Sequence, residues 1–124
     1  MIYRHSLEDA DARSAISTGE FPERVRSSRA NVAIILTQDW CHEWVDMKSW
    51  LESYESSEAP KDAEVDVYSL EYNRASYGDE FMEFKESVLR NALIPYVRYY
   101  QDGKYIDDSN YVGAASFMSH FATK

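Results

Sequence analysis

The chain has 124 residues, and its 13 basic against 22 acidic residues give a formal net charge of −9. This charge disfavours nucleic acids and anionic membranes as partners, because both are bound through a basic face. With 44% hydrophobic and 15% aromatic residues, the composition excludes a disordered chain and suits a single domain with a core of its own. The single cysteine, Cys41, excludes a scaffold stapled by intramolecular disulfides.

Neither a membrane helix nor a signal peptide is predicted, since no apolar run reaches the roughly 18 residues that a membrane span needs. We therefore expect a cytoplasmic protein. The first thirty residues leave two arrangements open, one helix or a strand followed by a helix. The first reading places a helix over Leu7–Ile16 with Ser6 as its cap and acidic residues near its start. Gly19 then breaks the helix, and Pro22 opens a short second one through Arg26.

The segment Asn31–Thr37 is a continuous apolar, β-branched run. Such a run is typical of a central parallel strand that is buried on both faces. A helix from about His42 to Ser56 is predicted next. Its inward positions follow helical spacing; they are Met47, Trp50, Leu51 and Tyr54.

The second half of the chain alternates in the same way. A strand is predicted from Val65 to Tyr72, and a helix begins at Gly78 with one apolar stripe, consisting of Phe81, Phe84, Val88 and Ala92. A β-hairpin follows over Tyr96–Asp107, with its turn at Asp102-Gly103. A last helix is predicted over Tyr111–Phe121. Strands joined by helices pair in parallel and the hairpin adds antiparallel strands, so we expect an α/β fold with a central mixed sheet and helices on both faces.

This order of elements resembles the thioredoxin-like fold over Val32 to Phe121. The segment Trp40-Cys41-His42-Glu43-Trp44 lies at a strand-to-helix junction, where the family carries Trp-Cys-x-x-Cys. Ile94-Pro95 lies where the family has its cis-proline, and Asp102-Gly103-Lys104 and Gly113 match the family's hairpin turn and last-helix glycine. The resemblance implies one thioredoxin-like domain over residues 1–124, with residues 1–30 as a leader of uncertain arrangement.

Four positions depart from the family pattern. Trp44 stands at the second, resolving cysteine, and Ser49 stands at the proline that kinks the helix. Ile35 and Ser69 stand at the buried aspartate and at the lysine of the neighbouring strand. A buried aspartate without the second thiol would only cost desolvation. The absence of the aspartate and the lysine together with the second cysteine is therefore physically consistent. Without the second cysteine, the chain cannot be a self-contained dithiol reductase.

Cys41 is the candidate catalytic residue. A helix amino end favours a thiolate, and His42 would add to this effect when protonated, whereas Asp39 and Glu43 would oppose it. We expect a modestly lowered pKa for the Cys41 thiol. Its thiolate would attack a disulfide and form a mixed disulfide that an external thiol, such as glutathione, must release. The alternative is an unreactive cysteine in a degenerate motif.

The resemblance also implies a peptide-docking edge. The Ile94-Pro95 bond would be cis and would bring the preceding backbone close to Cys41. Ile94 would then hydrogen-bond an extended peptide as an added strand, and Trp40, Trp44 and Tyr72 would border the groove. For Trp44 the alternative is an aromatic side chain that fills space over the helix start.

Three functions follow from these residues. The first is monothiol thiol–disulfide exchange through Cys41 with protein or peptide thiols, in cell redox homeostasis. The second is a redox-inactive module that binds a protein or peptide in the same groove. The third, an iron–sulfur or glutathione carrier of the monothiol glutaredoxin kind, is disfavoured by Trp44 and by the acidic segment before Cys41. We expect no cofactor and no metal site, and a monomer, with a disulfide-linked dimer as the alternative.

Overall fold

The computed structural model describes residues 1–55 and 64–121. This part of the chain contains five strands and five α-helices. The elements are β1 (Ile2–Ser6), α1 (Asp9–Thr18), α2 (Glu23–Arg26), β2 (Asn31–Thr37), α3 (His42–Glu55), β3 (Val65–Glu71), a 3-10 turn (Tyr72–Arg74), α4 (Gly78–Ser87), β4 (Tyr96–Gln101), β5 (Lys104–Ser109) and α5 (Ala114–Ser119).

The strands form one mixed sheet in the order β1-β3-β2-β4-β5. The central strand β2 pairs in parallel with β3 and antiparallel with β4, while β1 extends the parallel side and β5 the antiparallel side. Every residue of β2 from Val32 to Thr37 is buried, as the apolar run predicts. The fold is thus α/β with a mixed sheet, and β2 pairs in parallel only with β3.

Side chains leave the sheet on alternate faces and build two hydrophobic cores. The first core lies under α1, α2 and α4 and includes Leu7, Ala12, Val25, Ile34, Tyr72, Phe81 and Tyr96. The second core lies under α3 and α5 and includes Ile35, Cys41, Trp44, Met47, Val97, Val112 and Phe117. Ile94 is packed against both cores, so the loop before β4 lies where the two layers meet.

The leader adopts the strand-plus-helix arrangement, and the prediction that Ser6 caps a helix starting at Leu7 is wrong. Ser6 ends β1, and the cap position of α1 is Glu8. The reason is tertiary, because Ile2 is 1% exposed in the second core and pairs with Val65 in the parallel ladder. The second short helix follows Pro22 as predicted.

The helix α4 is shorter than its apolar stripe suggests. It ends at Ser87, Val88 is 52% exposed and Ala92 is exposed, so the prediction that both lie inward is wrong. The chain leaves helical geometry there and reaches φ +62° at Arg90. The start of α4 is fixed by Gly78, where a Cβ would lie only 2.4 Å from the Tyr72 carbonyl oxygen.

The remaining boundaries follow the prediction with small shifts. The hairpin turn has φ +51° at Asp102 and +80° at Gly103, as a two-residue turn of the primed type requires. The last helix begins at Ala114, after Gly113, instead of at Tyr111. The predicted end of α3 at Ser56 lies outside the described residues.

Candidate functional site

Cys41 lies at the amino end of α3. The Val45 amide donates a hydrogen bond to the Cys41 carbonyl at 3.2 Å, and the Cys41 amide donates to the Gln38 carbonyl at 3.3 Å. These two bonds make Cys41 the N-cap residue, where amide groups of the first turn are unpaired and a negative charge is favoured. Cys41 is only 4% exposed and belongs to the second core. A bulky disulfide therefore has little access to the thiol in this conformation.

The two tryptophans of the motif have opposite environments. Trp40 is 63% exposed, and its indole donates a hydrogen bond to Gln38 Oε1 at 2.6 Å. Trp44 is 1% exposed, and its indole donates to Glu71 Oε2 at 2.8 Å. The interpretation of Trp44 as a space-filling aromatic agrees with this burial, whereas its expected role at the border of a peptide groove does not.

Tyr72 is also buried, which removes it from the expected groove border. It is 3% exposed, and its hydroxyl accepts a hydrogen bond from Gln38 Nε2 at 3.2 Å. Burial raises the pKa of the Tyr72 hydroxyl. Through Gln38, this hydroxyl fixes the loop that carries Trp40.

A second set of contacts holds the same loop to the end of β3. Asn73 Oδ1 accepts from the Asp39 amide at 2.9 Å, and Asn73 Nδ2 donates to the Asp39 carboxylate at 2.7 Å. Arg74 forms an ion pair with the same carboxylate at 3.3 Å. The charge of Asp39, which lies two residues before Cys41, is thus offset locally by Arg74.

The Ile94–Pro95 peptide bond is cis. Pro95 is buried, Ile94 is half-buried, and Leu93 is 64% exposed. Among the described residues, neither the amide nor the carbonyl of Ile94 has a hydrogen-bond partner. Most backbone groups in folded proteins are paired or hydrated, so this residue offers one donor and one acceptor to a neighbouring chain.

The groups on either side of Ile94 are, in contrast, firmly held. Lys85 Nζ donates to the Leu93 carbonyl at 2.7 Å and to the Asn91 carbonyl at 2.8 Å. Asn110 Nδ2 donates to the Pro95 carbonyl at 3.1 Å and to the Leu93 carbonyl at 3.3 Å. These bonds position the loop and leave the Ile94 backbone as its unpaired part.

Neither Lys85 nor Asn110 was predicted from the sequence to take part in the site. Lys85 is 1% exposed, and its burial lowers its pKa to about 8. Its signal in the sequence is its place four residues after Phe81, on the apolar stripe of α4, where a charged side chain needs buried partners. Asn110 follows the hairpin and has no such signal.

Two of the positions that depart from the family pattern, Ile35 on β2 and Ser69 on β3, lie side by side in the sheet. Ile35 lies opposite Ser69 in the parallel ladder between β2 and β3, so no charged pair lies at this point of the sheet. In residues 1–55 and 64–121 no cluster of three His, Cys, Asp or Glu side chains has the geometry of a metal site. None of the helices described has the length and apolar character needed to cross a membrane.

No protein-family model matches the sequence, and no curated protein is similar to it at a significant level. Solved structures do match. Thioredoxin O1 of Arabidopsis thaliana in its oxidized state has a TM-score of 0.61 at 9% identity, with 95% of this chain and 93% of that chain covered. Thioredoxin O2 of the same plant has a TM-score of 0.60 at 16% identity, covering 95% and 90%. Trxlp of Edwardsiella tarda EIB202 has a TM-score of 0.54 at 18% identity, covering 98% and 100%.

These likenesses extend over nearly the whole length of each pair, and at such low identity they concern the fold alone. They agree with the strand order and with the layers of helices described above. The chain therefore has a thioredoxin-like fold.

Proposed function

We propose that this chain is a binding module that docks an extended protein or peptide segment beside Ile94. The observation that carries the proposal is the unpaired backbone of Ile94, just before β4. An extended segment that pairs with this amide and carbonyl gains main-chain hydrogen bonds, as in strand addition to a sheet edge. Lys85 and Asn110 hold the flanking carbonyls, so the edge is preorganised and loses little entropy on binding.

Exposed apolar side chains support the same proposal. Leu93 is 64% exposed next to Ile94, and Tyr111, which follows Asn110, is 44% exposed. Trp40 presents 63% of its surface one residue before Cys41. Large exposed aromatic and aliphatic groups next to an unpaired backbone are typical of a recognition surface, because their burial contributes roughly 25 cal/mol per Å².

The test is a selection of peptides from a display library, followed by amide NMR of the chain with the selected peptide. We expect the Ile94 amide to shift downfield and to become protected from hydrogen exchange. Leu93→Asp should abolish binding. Ile106→Asp, which changes a 43% exposed apolar residue on β5, is the matched control and should bind normally. Selected peptides that leave the Ile94 amide unchanged, or that bind both variants equally, would contradict the proposal.

A second candidate is monothiol exchange through Cys41, which its N-cap position favours. In this reaction the Cys41 thiolate attacks one sulfur of a disulfide and the other sulfur leaves as a thiolate. An external thiol then attacks the mixed disulfide and restores Cys41. Trp44 cannot perform this release.

We propose a cytoplasmic location for either function, since a reducing compartment keeps a lone thiol free.

Alkylation kinetics separate the two candidates. The rate of iodoacetamide reaction at Cys41 is measured against pH in the folded chain and in urea, and the folded chain is then incubated with oxidised glutathione. Because Cys41 is 4% exposed, we expect slower alkylation in the folded chain and no adduct by mass spectrometry. A glutathione adduct that forms in the folded state, with alkylation faster than in urea, would favour exchange.

A further inference from the structure

One short segment connects the docking edge to the first two turns of α3. Asn110 donates hydrogen bonds to the carbonyls of Leu93 and Pro95 at 3.3 and 3.1 Å. The next residue, Tyr111, donates its hydroxyl hydrogen to the Asp46 carboxylate. The residue after that, Val112, packs in the second core together with Cys41. The Asp46 side chain therefore lies beside the segment that borders Ile94.

Two carboxylates lie on the first two turns of α3. Glu43 and Asp46 are three residues apart, so they lie on the same exposed side of α3. Both act on Tyr111, since the hydrogen bond with Asp46 and the negative charges of Asp46 and Glu43 raise the pKa of its hydroxyl. Within the described chain, neither carboxylate forms an ion pair.

Three other carboxylates of the chain do have cationic partners. Glu71 is paired with Lys48 at 3.6 Å, and Asp66 with Arg29 at 3.1 Å. Glu20 is paired with Arg98 at 3.2 Å. The docking edge is thus flanked by two negative charges that the fold leaves uncompensated, in a chain whose net charge is −9.

We propose that the segment docked beside Ile94 is cationic, an extended stretch with Lys or Arg next to its apolar residues. This inference rests on the proposed function and adds the chemistry of its partner. The charge of the whole chain steers a basic peptide toward the protein, and Glu43 and Asp46 retain it at the edge. An acidic segment meets repulsion at the same place.

The probe is a labelled extended peptide of alternating Val and Thr residues, made in three versions with Lys, Ser or Glu at both ends. Binding is measured by fluorescence anisotropy at low and at physiological ionic strength. We expect the Lys version to bind more tightly than the Ser version and the Glu version to bind most weakly. The differences should shrink as salt is added, because salt screens exposed charges.

Substitutions at Glu43 and Asp46 test whether these two carboxylates cause the difference in peptide binding. Glu43→Gln and Asp46→Asn should each weaken binding of the Lys version about two- to fivefold and leave the Ser version unchanged. Glu52→Gln removes an exposed carboxylate from the same helix, about 13 Å along the axis from Glu43 and about 9 Å from Asp46, and should change nothing. Glu43→Lys should improve binding of the Glu version, and circular dichroism checks that each variant folds.

The outcomes distinguish this inference from the proposed function. Equal binding of the Lys and Glu versions, or equal effects of Glu43→Gln and Glu52→Gln, would overturn the cationic partner while docking itself stands. Failure of all three versions to bind, or binding that leaves the Ile94 amide unchanged, would overturn docking beside Ile94.

Discussion

The strand β4 has a closed polar cluster at its middle and an open edge just before its start, and the two differ in how their polar groups are paired. Arg98 is 8% exposed and donates hydrogen bonds to Tyr100 at 2.9 Å, Tyr96 at 3.0 Å and Glu20 at 3.2 Å. Ile94, four residues earlier, has no partner for either backbone group in the described chain. A region in which every polar group is paired contributes to stability, whereas an unpaired backbone beside exposed apolar groups is suited to a partner.

The closed cluster also explains how a charge is tolerated inside the domain. Burial alone would lower the pKa of Arg98, but Tyr100, Tyr96 and Glu20 outweigh it and raise the pKa above its ordinary value. The Tyr100 hydroxyl in turn donates to Glu20 at 2.8 Å, and the Tyr105 ring lies 4.2 Å from the guanidinium carbon. The guanidinium thus stays charged and satisfied, and it joins the hairpin to the loop after α1.

The largest effect is expected when this cluster is broken. Arg98→Met removes the cation and leaves Glu20 without its ion pair, so we expect a loss of about 3–5 kcal/mol in the free energy of unfolding. Urea denaturation at neutral pH measures it. Lys104→Met, which changes an exposed cation on β5, should cost less than about 0.5 kcal/mol. A similar loss in both variants would show that the cluster is not a special source of stability.

Asp66 lies in a second cluster in which the polar groups are paired. Asp66 accepts hydrogen bonds from Ser28 at 2.7 Å and Arg29 at 3.1 Å and lies 3.0 Å from the His5 ring nitrogen. Burial raises its pKa, but the bonds with His5, Ser28 and Arg29 prevail and hold the pKa below its ordinary 3.8. Asp66→Asn should cost about 1.5–3 kcal/mol at neutral pH.

The pH dependence of this cost follows from the sign of the shift. A carboxyl with a lowered folded pKa stabilises the fold above its unfolded pKa of 3.8 and loses that contribution as pH falls through the folded value. The difference between wild type and Asp66→Asn should therefore shrink in acid, measured by urea denaturation at pH 7 and pH 3. Glu83→Gln, which changes an exposed carboxylate of α4, is the control, and a difference that grows in acid would contradict the assignment.

Lys85 has a property of each region, since it is buried like Arg98 and its ammonium group holds the loop of the docking edge. Its folded pKa of about 8 is below its ordinary 10.5, so between these values the unfolded chain binds more protons and stability rises with pH. The difference in unfolding free energy between wild type and Lys85→Met should change by about 2 kcal/mol in favour of wild type from pH 8 to 9.5. A flat difference would mean that Lys85 stays protonated over this range.

Much of the fold could be predicted from the sequence because its signals are local. The apolar run of β2, the turn at Asp102-Gly103 and the spacing of Met47 and Leu51 each depend on neighbouring residues. The start of α1 could not be predicted, because the pairing of β1 with β3 decides it, and that contact joins residues more than sixty positions apart.

At the candidate site, the helix start after Cys41 and the cis bond at Ile94-Pro95 could be predicted from the sequence, but the side-chain contacts could not. Burial depends on packing from both layers, so Cys41 and Trp44 are more enclosed than their motif suggests. The roles of Lys85 and Asn110 arise from hydrogen bonds to carbonyls in another loop, and no spacing rule reports such bonds.

The smallest effect is expected at Trp40, which the proposed function counts with the open edge and which contributes little to the fold. Its indole is 63% exposed and makes one hydrogen bond, to Gln38. Trp40→Ala should change the free energy of unfolding by less than about 0.5 kcal/mol. Peptide affinity should fall about tenfold, which corresponds to about 1.4 kcal/mol, because exposed tryptophans are frequent anchors of binding surfaces. Trp40→Phe should keep most of the affinity. If Trp40→Ala destabilised the chain as much as Arg98→Met, the open edge would be a structural region like the closed cluster, and the distinction between them would fail.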